Sequence, residues 1–486
     1  MNGKFMGFIP VIAALALTSC TPTRVDPAVP LPSVKDWQHG QDAEAISSQA
    51  VLASWWRGFR DPVLDKLIAE AMTANQDLRI AKARVQEAQQ IVTVTESALY
   101  PSVDFNVEGG RQKTINRVFG ITGPNGTNLV APAGNAFTGG LAARWEIDLF
   151  GGRHLDAEAA NAQAAGIHEN EHAVRVGLLA QVATNYLELR GVQTRTRILE
   201  DIIASEQERL RVIRALHKAG LARDGDVARQ ETLLHVTQAG LSALTAEADT
   251  LIHRLGVLSG KPPASLRDRL LSAASLPEAA PKLPRLMPAA LLEQRPDLRV
   301  AKTQVEAMAA SLGAARTDLY PKLVLSVSGG FGALAIGGFP ALAEGVYGLG
   351  AGLTAPIFNA GRIQAQITAA DARLEQAAAN YEKTFLTAME DVENAYVQYR
   401  SITTRRDELL RAEIEAEKSR READALFRRG VANLLQVLDA QHAKLQIGDE
   451  RARAETGLAV AMVSLYRAFG GGWQEEAVLV SRASTD

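Results

Sequence analysis

The chain has 486 residues, with 52 Lys and Arg against 55 Asp and Glu and a formal net charge of -3, a balance that offers no electrostatic footprint for nucleic acid. Hydrophobic residues make up 47% of it but aromatics only 5%, most of the apolar content being Ala, Leu and Val. Combined with abundant Glu, Gln and Arg, this is the composition of long packed helices and argues against an aromatic-rich enzyme core.

At the N-terminus Lys4 supplies a positive region, and Phe5 to Leu17 form an apolar run too short to span a bilayer, the pattern of a cleaved export signal. Leu17-Thr18-Ser19-Cys20 has the form of a bacterial lipobox, in which the cysteine becomes the acylated first residue. Cys20 is the chain's only cysteine, so it has no disulfide partner within the chain, and acylation accounts for it. Diacylglycerol plus an acyl chain on Cys20 would anchor the protein firmly, since a single chain binds a membrane only marginally. Thr21 follows, where an Asp would point to inner-membrane retention.

Proline placement divides the remainder. None occurs between Pro132 and Pro262 or after Pro356, whereas Pro262, Pro263, Pro277, Pro281, Pro284, Pro288 and Pro296 crowd one segment, read as a linker. The two halves repeat. Asp77-Leu78-Arg79-Ile80-Ala81-Lys82 recurs as Asp297-Leu298-Arg299-Val300-Ala301-Lys302, and Leu99-Tyr100-Pro101 as Leu319-Tyr320-Pro321. Further on, Leu149 to Arg153 answers Ile357 to Arg362, and His217 to Leu221 answers Phe427 to Val431.

After each Tyr-Pro comes period-two alternation. Val103, Phe105 and Val107 oppose Asp104, Asn106 and Glu108, and after a Gly-, Asn- and Pro-rich loop Leu141, Ala143, Trp145, Ile147 and Leu149 oppose Ala142, Arg144, Glu146 and Asp148. In the second half Leu323, Leu325, Val327 and Phe331 oppose Val324, Ser326 and Ser328, and Tyr347, Leu349, Ala351 and Leu353 oppose small residues and Thr354. The same alternation suits a small sheet with one wet face. It also suits a membrane barrel, and since four strands cannot close one, several chains would have to pool theirs. Unbroken helical stretches follow, from 151 to about 218 and from 361 to about 429, each roughly 100 Å long. Return helices are expected from about 224 to 258 and from about 434 to 468, with hairpin tips at Gly220 and Gly430 and coiled-coil packing between the arms.

These features divide the chain into a signal peptide at 1-19, a lipid-anchored segment at 20-60, a first repeat at 61-260, a linker at 261-296, a second repeat at 297-469 and a tail at 470-486. Strands are expected at about 102-112, 137-149, 322-332 and 346-357. The fold class is mainly α with membrane β, a duplicated β-β-α-hairpin unit whose geometry is that of a pore continued by a periplasmic tube.

His168-Glu169-Asn170-Glu171-His172 satisfies H-E-x-x-H, the spacing of a helical zinc site. Lying within a long coiled-coil stretch with no third ligand marked, it reads as a solvated helix face, and no metal is expected. Gly348, Gly350 and Gly352 fall in a strand pattern with no Lys-Ser or Lys-Thr after them, so they are no phosphate loop. No nucleophile stands in a catalytic context; the chain reads as no enzyme, with no catalytic residue and no cofactor.

Several strings, in this order and spacing, carry a family resemblance: "SWWRGFRDPVLDKLI" at Ser54 to Ile68, "RLGVLSGKPP" at Arg254 to Pro263, "QRPDLRVA" at Gln294 to Ala301, "RRGVANLLQVLDAQ" at Arg428 to Gln441 and "LYRAFGGGW" at Leu465 to Trp473. The sequence resembles the TolC-like outer-membrane efflux proteins, in their NodT-type lipoprotein branch. The resemblance covers nearly the whole mature chain. It implies a homotrimer with a twelve-stranded β-barrel above a helical tunnel, set in the outer membrane and passively conducting drugs or other small molecules. The implied partners are a periplasmic adaptor gripping the hairpin tips and an inner-membrane, proton-driven resistance-nodulation-division transporter; no nucleic acid is implied.

Carried over by position, the adaptor-contact tips fall on Gly220, Leu221 and Ala222 and on Gly430, Val431 and Ala432. Asp439 would form a ring of like charges at the periplasmic gate, with Asp226 as its acidic counterpart near the first tip. Phe427 and Ala432 stand where some members latch the gate with a tyrosine and an arginine, and Gln436 replaces a second aspartate. Arg428 and Arg429 could then pair with Asp226 or Asp224, or stand as solvated charges at the end of their helix. Two other readings are a secretion duct and a lipid-anchored periplasmic adaptor; an adaptor ordinarily carries one hairpin, and this sequence has two.

Overall fold

The computed structural model describes residues 52–112, 134–272, 274–277, 279–285, 294–336 and 339–474, with isolated positions between 25 and 45. Cys20, the loop at 113–133 and the tail from 475 lie outside the described residues.

Each repeat runs helix, two strands, long helix, return helix. In the first, α1 (Pro62–Ala74) and α2 (Gln76–Glu96) precede β1 (Ser102–Gln112) and β2 (Gly134–Ile147), then α3 (Gly152–Lys218) and α4 (Asp224–Leu258). The second contains α5 (Pro296–Thr317), β3 (Lys322–Ile336), β4 (Phe339–Thr354), α6 (Arg362–Arg428) and α7 (Leu434–Ala468). Both long helices have 67 residues and both return helices 35, so the duplication extends to element length. None of the described helices is long and apolar enough to cross a membrane.

The described chain divides into two compact units. One consists of Gln86–Ala165 and Lys302–Asn380 and contains a four-stranded antiparallel sheet in the order β1-β2-β3-β4. Its register keeps one parity on one face: Phe105 faces Leu141, Val327 lies between Ala143 and Leu349, and Trp145 faces Leu325. Residues of the other parity are mostly polar or small, Val324 being an exception, with Asp104 opposite Ala142 and Ser328 between Ala142 and Gly348. The apolar face is bare in one chain: Phe105 is 68% exposed, Val107 67% and Tyr347 92%. Glycines make room for the large rings, since a Cβ on Gly139 would lie 3.2 Å from the Phe331 ring and one on Gly109 3.0 Å from that of Phe137. Below the strands the repeats interlock: Phe150 of the first stacks on Tyr320 of the second at 4.7 Å.

The second unit, Pro30–Val85, Gly166–Ala301 and Tyr381–Asp486, holds the hydrophobic core. Asp61 caps α1, accepting from the Val63 and Leu64 amides at 2.8 and 3.3 Å, with Pro62 at the first helical position. Its other oxygen accepts the Tyr186 hydroxyl at 2.6 Å, tying the cap to α3. Trp55 stacks on Tyr466 at 5.4 Å, so the first and last family strings meet in one aromatic cluster. Gly260 and Gly470 end the return helices at φ +67 and +70 and pack against Ala74 and Gln294, where a Cβ would come within 2.1 and 2.7 Å of a carbonyl oxygen.

The Pro-rich segment, expected as a linker, is instead part of this core over its described residues. Leu266 and Leu270 are buried, the Tyr396 hydroxyl donates to the Pro284 carbonyl at 2.6 Å, and that of Tyr466 to Lys282 at 2.7 Å. Proline there stops the helices without releasing the chain.

Candidate functional site: hairpin tips and the charged stripe above them

Both tips are built alike. Gly220 and Gly430 have φ of +73 and +72, the left-handed conformation that ends a helix without a Cβ penalty. The Leu221 amide reaches back to the Leu216 carbonyl at 2.8 Å and the Val431 amide to that of Leu426 at 3.0 Å, the six-to-one bond of a Schellman closure. Leu221 and Val431 are left 76% and 74% exposed, an apolar residue at each apex beside Ala222 and Ala432. Nothing within either hairpin covers them.

Both return helices begin with a side-chain cap, reciprocal in α7 and one-sided in α4. Asn433 Oδ1 accepts from the Gln436 amide at 3.0 Å while Gln436 Oε1 accepts from the Asn433 amide at 3.1 Å. Asp226 accepts from the Arg223 amide at 3.1 Å in the same way. Asp226 and Gln436 therefore stand at equivalent positions, equally far from their tip glycines, and both are capping residues. This corrects the matching of Asp226 to Asp439. The expected pairing of Arg428 or Arg429 with Asp226 or Asp224 is corrected too: Arg428 pairs with Asp424 at 2.8 Å, one helical turn back, and Asp224 with His217 at 2.8 Å. Arg429 has no carboxylate partner among the described residues.

Asp439 makes an ion pair with Arg209 of α3. The arginine side chain is 14% exposed and the carboxylate 66%, so one end is anchored and the other faces out. Above it, Glu206 is 2% exposed and joins three helices, its Oε1 accepting the Thr237 hydroxyl of α4 at 3.1 Å and lying 3.7 Å from His442 Nδ1 of α7. Burial lowers the His442 pKa, with Arg209 adding to the effect and Glu206 and Asp439 opposing it. Farther along, Arg195 pairs with Asp449 at 2.9 Å, and Thr456 packs so close to Gly191 that a Cβ there would lie 2.1 Å from its hydroxyl. On α7 these contacts recur at 456, 449 and 442, a heptad seam against α3. That spacing was the available sequence signal for His442 alone; Arg209 and Glu206 on α3 follow no such repeat.

The His168-Glu169-His172 run is not a solvated face. Glu169 is 8% exposed and receives Arg299 Nη2 on Oε1 at 2.5 Å, while its buried Oε2 accepts no hydrogen bond. Desolvation raises its pKa against the pull of Arg299. The His172 ring lies 4.7 Å from that of His168 and 4.6 Å from that of Trp473, and the Arg299 guanidinium sits 4.8 Å over the Trp473 ring. Burial, with His168 and two arginines nearby, lowers the His172 pKa to about 4.

The model of the outer membrane efflux protein family matches residues 67–261 and 287–471. The pyoverdine export outer membrane protein OpmQ of Pseudomonas aeruginosa is 31% identical over 98% of both chains. The solvent efflux pump outer membrane protein SrpC of Pseudomonas putida is 28% identical over 96% of this chain and 98% of its own. Among solved structures, the outer-membrane channel OprN superposes with a TM-score of 0.80 at 29% identity, covering 93% of this chain and 100% of that one. With a duplicated strand-pair and helical-hairpin unit, two bare tips and these relatives, the chain belongs to the outer membrane efflux protein family and is an outer-membrane efflux channel.

Proposed function

We propose that the protein is the passive exit duct of a tripartite pump, assembled as a homotrimer whose twelve pooled strands close a barrel. The observation that carries this reading is the four-stranded sheet, apolar along one face up to Arg111 near the end of β1, with β1 and β4 at open edges. Unpaired edges cannot lie in hydrocarbon, where each unsatisfied backbone group costs several kcal/mol. An even number of antiparallel strands lets β4 of one copy pair with β1 of the next without changing direction. Three copies supply twelve strands, well above the smallest closed barrels.

Conduction needs no chemistry from the chain. A periplasmic adaptor docks on the bare apices at Leu221 and Val431 and links the duct to an inner-membrane resistance-nodulation-division transporter. Asp439, held by Arg209, sets the charge at the periplasmic mouth, and acylated Cys20 anchors the chain. The transporter chooses the cargo: OpmQ is named for pyoverdine and SrpC for solvents, yet both resemble this chain over almost its whole length.

The test is extraction of the full-length protein in detergent, with electrophoresis before and after boiling. A heat-modifiable band at three times the chain mass, with loss of acyl labelling in Cys20→Ala, is expected. A monodisperse monomer would overturn the trimer.

A further inference from the structure

We propose that His168, Glu169 and His172 form a binding site for a divalent transition-metal ion, zinc being the representative. One ring nitrogen from each histidine and one carboxylate oxygen lie within 4.8 Å of one another. Zinc with nitrogen and oxygen ligands at about 2.0–2.2 Å needs them roughly 3.3 Å apart, so closure takes side-chain rotation of about an ångström.

Two of the three ligands are already positioned. Arg299 holds Glu169 by Oε1 and leaves Oε2, buried and without a hydrogen bond, as the oxygen with lone pairs to give. An orphaned buried carboxylate oxygen is costly and calls for a partner that the described chain does not supply. His172 is fixed by its ring packing on Trp473 at 4.6 Å. His168 is exposed, one helical turn from His172, and is free to swing onto an arriving ion and complete the set. Two imidazoles and one carboxylate favour zinc or a neighbouring first-row ion over magnesium or calcium, which take oxygen ligands.

The same geometry separates this site from a hydrolytic one. In a protease the glutamate of H-E-x-x-H is a base standing clear of the metal. Here Glu169 is locked to Arg299 and serves as a ligand, with water in the remaining position. The bound ion joins neighbouring turns of α3 to the Arg299 and Trp473 cluster, bracing the wall of the duct.

The experiment uses the full-length protein in detergent, stripped with chelator and titrated with Zn²⁺ by calorimetry, and with Co²⁺ followed by its visible absorption. One ion per chain is expected, with a four-coordinate cobalt spectrum. His168→Ala, which removes an exposed ring at little risk to folding, and His172→Ala should each weaken binding by about tenfold or more. A double variant of the exposed His235 and His253 should bind as the parent does. No saturable uptake, binding unchanged in His168→Ala, or binding lost with His235 and His253 would each overturn the site.

Discussion

Val327 and Ser328 are neighbours in β3 that face opposite sides of the sheet, and substituting arginine at each separates a lipid face from a pore face. Val327 lies between Ala143 and Leu349 on the apolar side, is 50% exposed, and stands well inside the strand Lys322–Ile336. A guanidinium on the lipid side of a barrel costs about 2–4 kcal/mol near the membrane midplane. Three copies in one barrel would together lose roughly 6–12 kcal/mol, comparable with the entire stability of an ordinary domain. Ser328 lies between Ala142 and Gly348, beside small residues, and an arginine there can extend into water. The assay is the fraction of chain recovered from outer membranes as heat-modifiable oligomer. Val327→Arg should abolish most of it and Ser328→Arg should leave it near the parent's level. Equal losses, or tolerance of Val327→Arg alone, would refute the assignment of faces.

The Arg209–Asp439 pair, buried at one end only, should couple α3 to α7 by about 0.5–1 kcal/mol. In planar-bilayer recordings Arg209→Gln and Asp439→Asn should each raise open probability, and the double variant should add little to either; strict additivity would show that the pair does not hold the mouth. Burial of His442 lowers its pKa below the ordinary 6.5, so the unfolded chain takes up this proton first as the pH falls. Its contribution is complete above about 6.5 and declines below it, so the parent should lose more thermal stability than His442→Gln between about pH 7.5 and 5. Parallel curves would contradict this.

The long helices were legible because nothing between the tip glycines and the strand ends breaks a helix, and proline and glycine mark both ends. The sheet was legible because its register follows residue parity, so the face read from Val103, Phe105 and Val107 continues through Leu141 and Val327 to Leu349. Features requiring register between distant helices could not be read. Arg209 finds Asp439, and Glu206 finds His442, only once α3 lies antiparallel to α7. The histidine pair looked solvated because the residues that bury Glu169 and fix His172, Arg299 and Trp473, lie far along the chain. In sequence Asp226 reads as a counterpart of Asp439 because an acidic residue near a tip suggests a pore charge, whereas at the third position of a helix it caps the first turn.

The pairing of β2 with β3 means that the end of one repeat joins the start of the other within a chain. In a three-copy ring the edge of β4 meets β1 of the next chain by the same rule, so six seams alternate between covalently tethered and free. Fusing the repeats halves the number of seams that separate chains must form to close the ring. It also lifts the demand for six identical hairpins: one carries Asp226 and Arg229 where the other carries Gln436 and Asp439. The tethered seam gives the channel two kinds of hairpin, unlike in charge at equivalent distances from their tips.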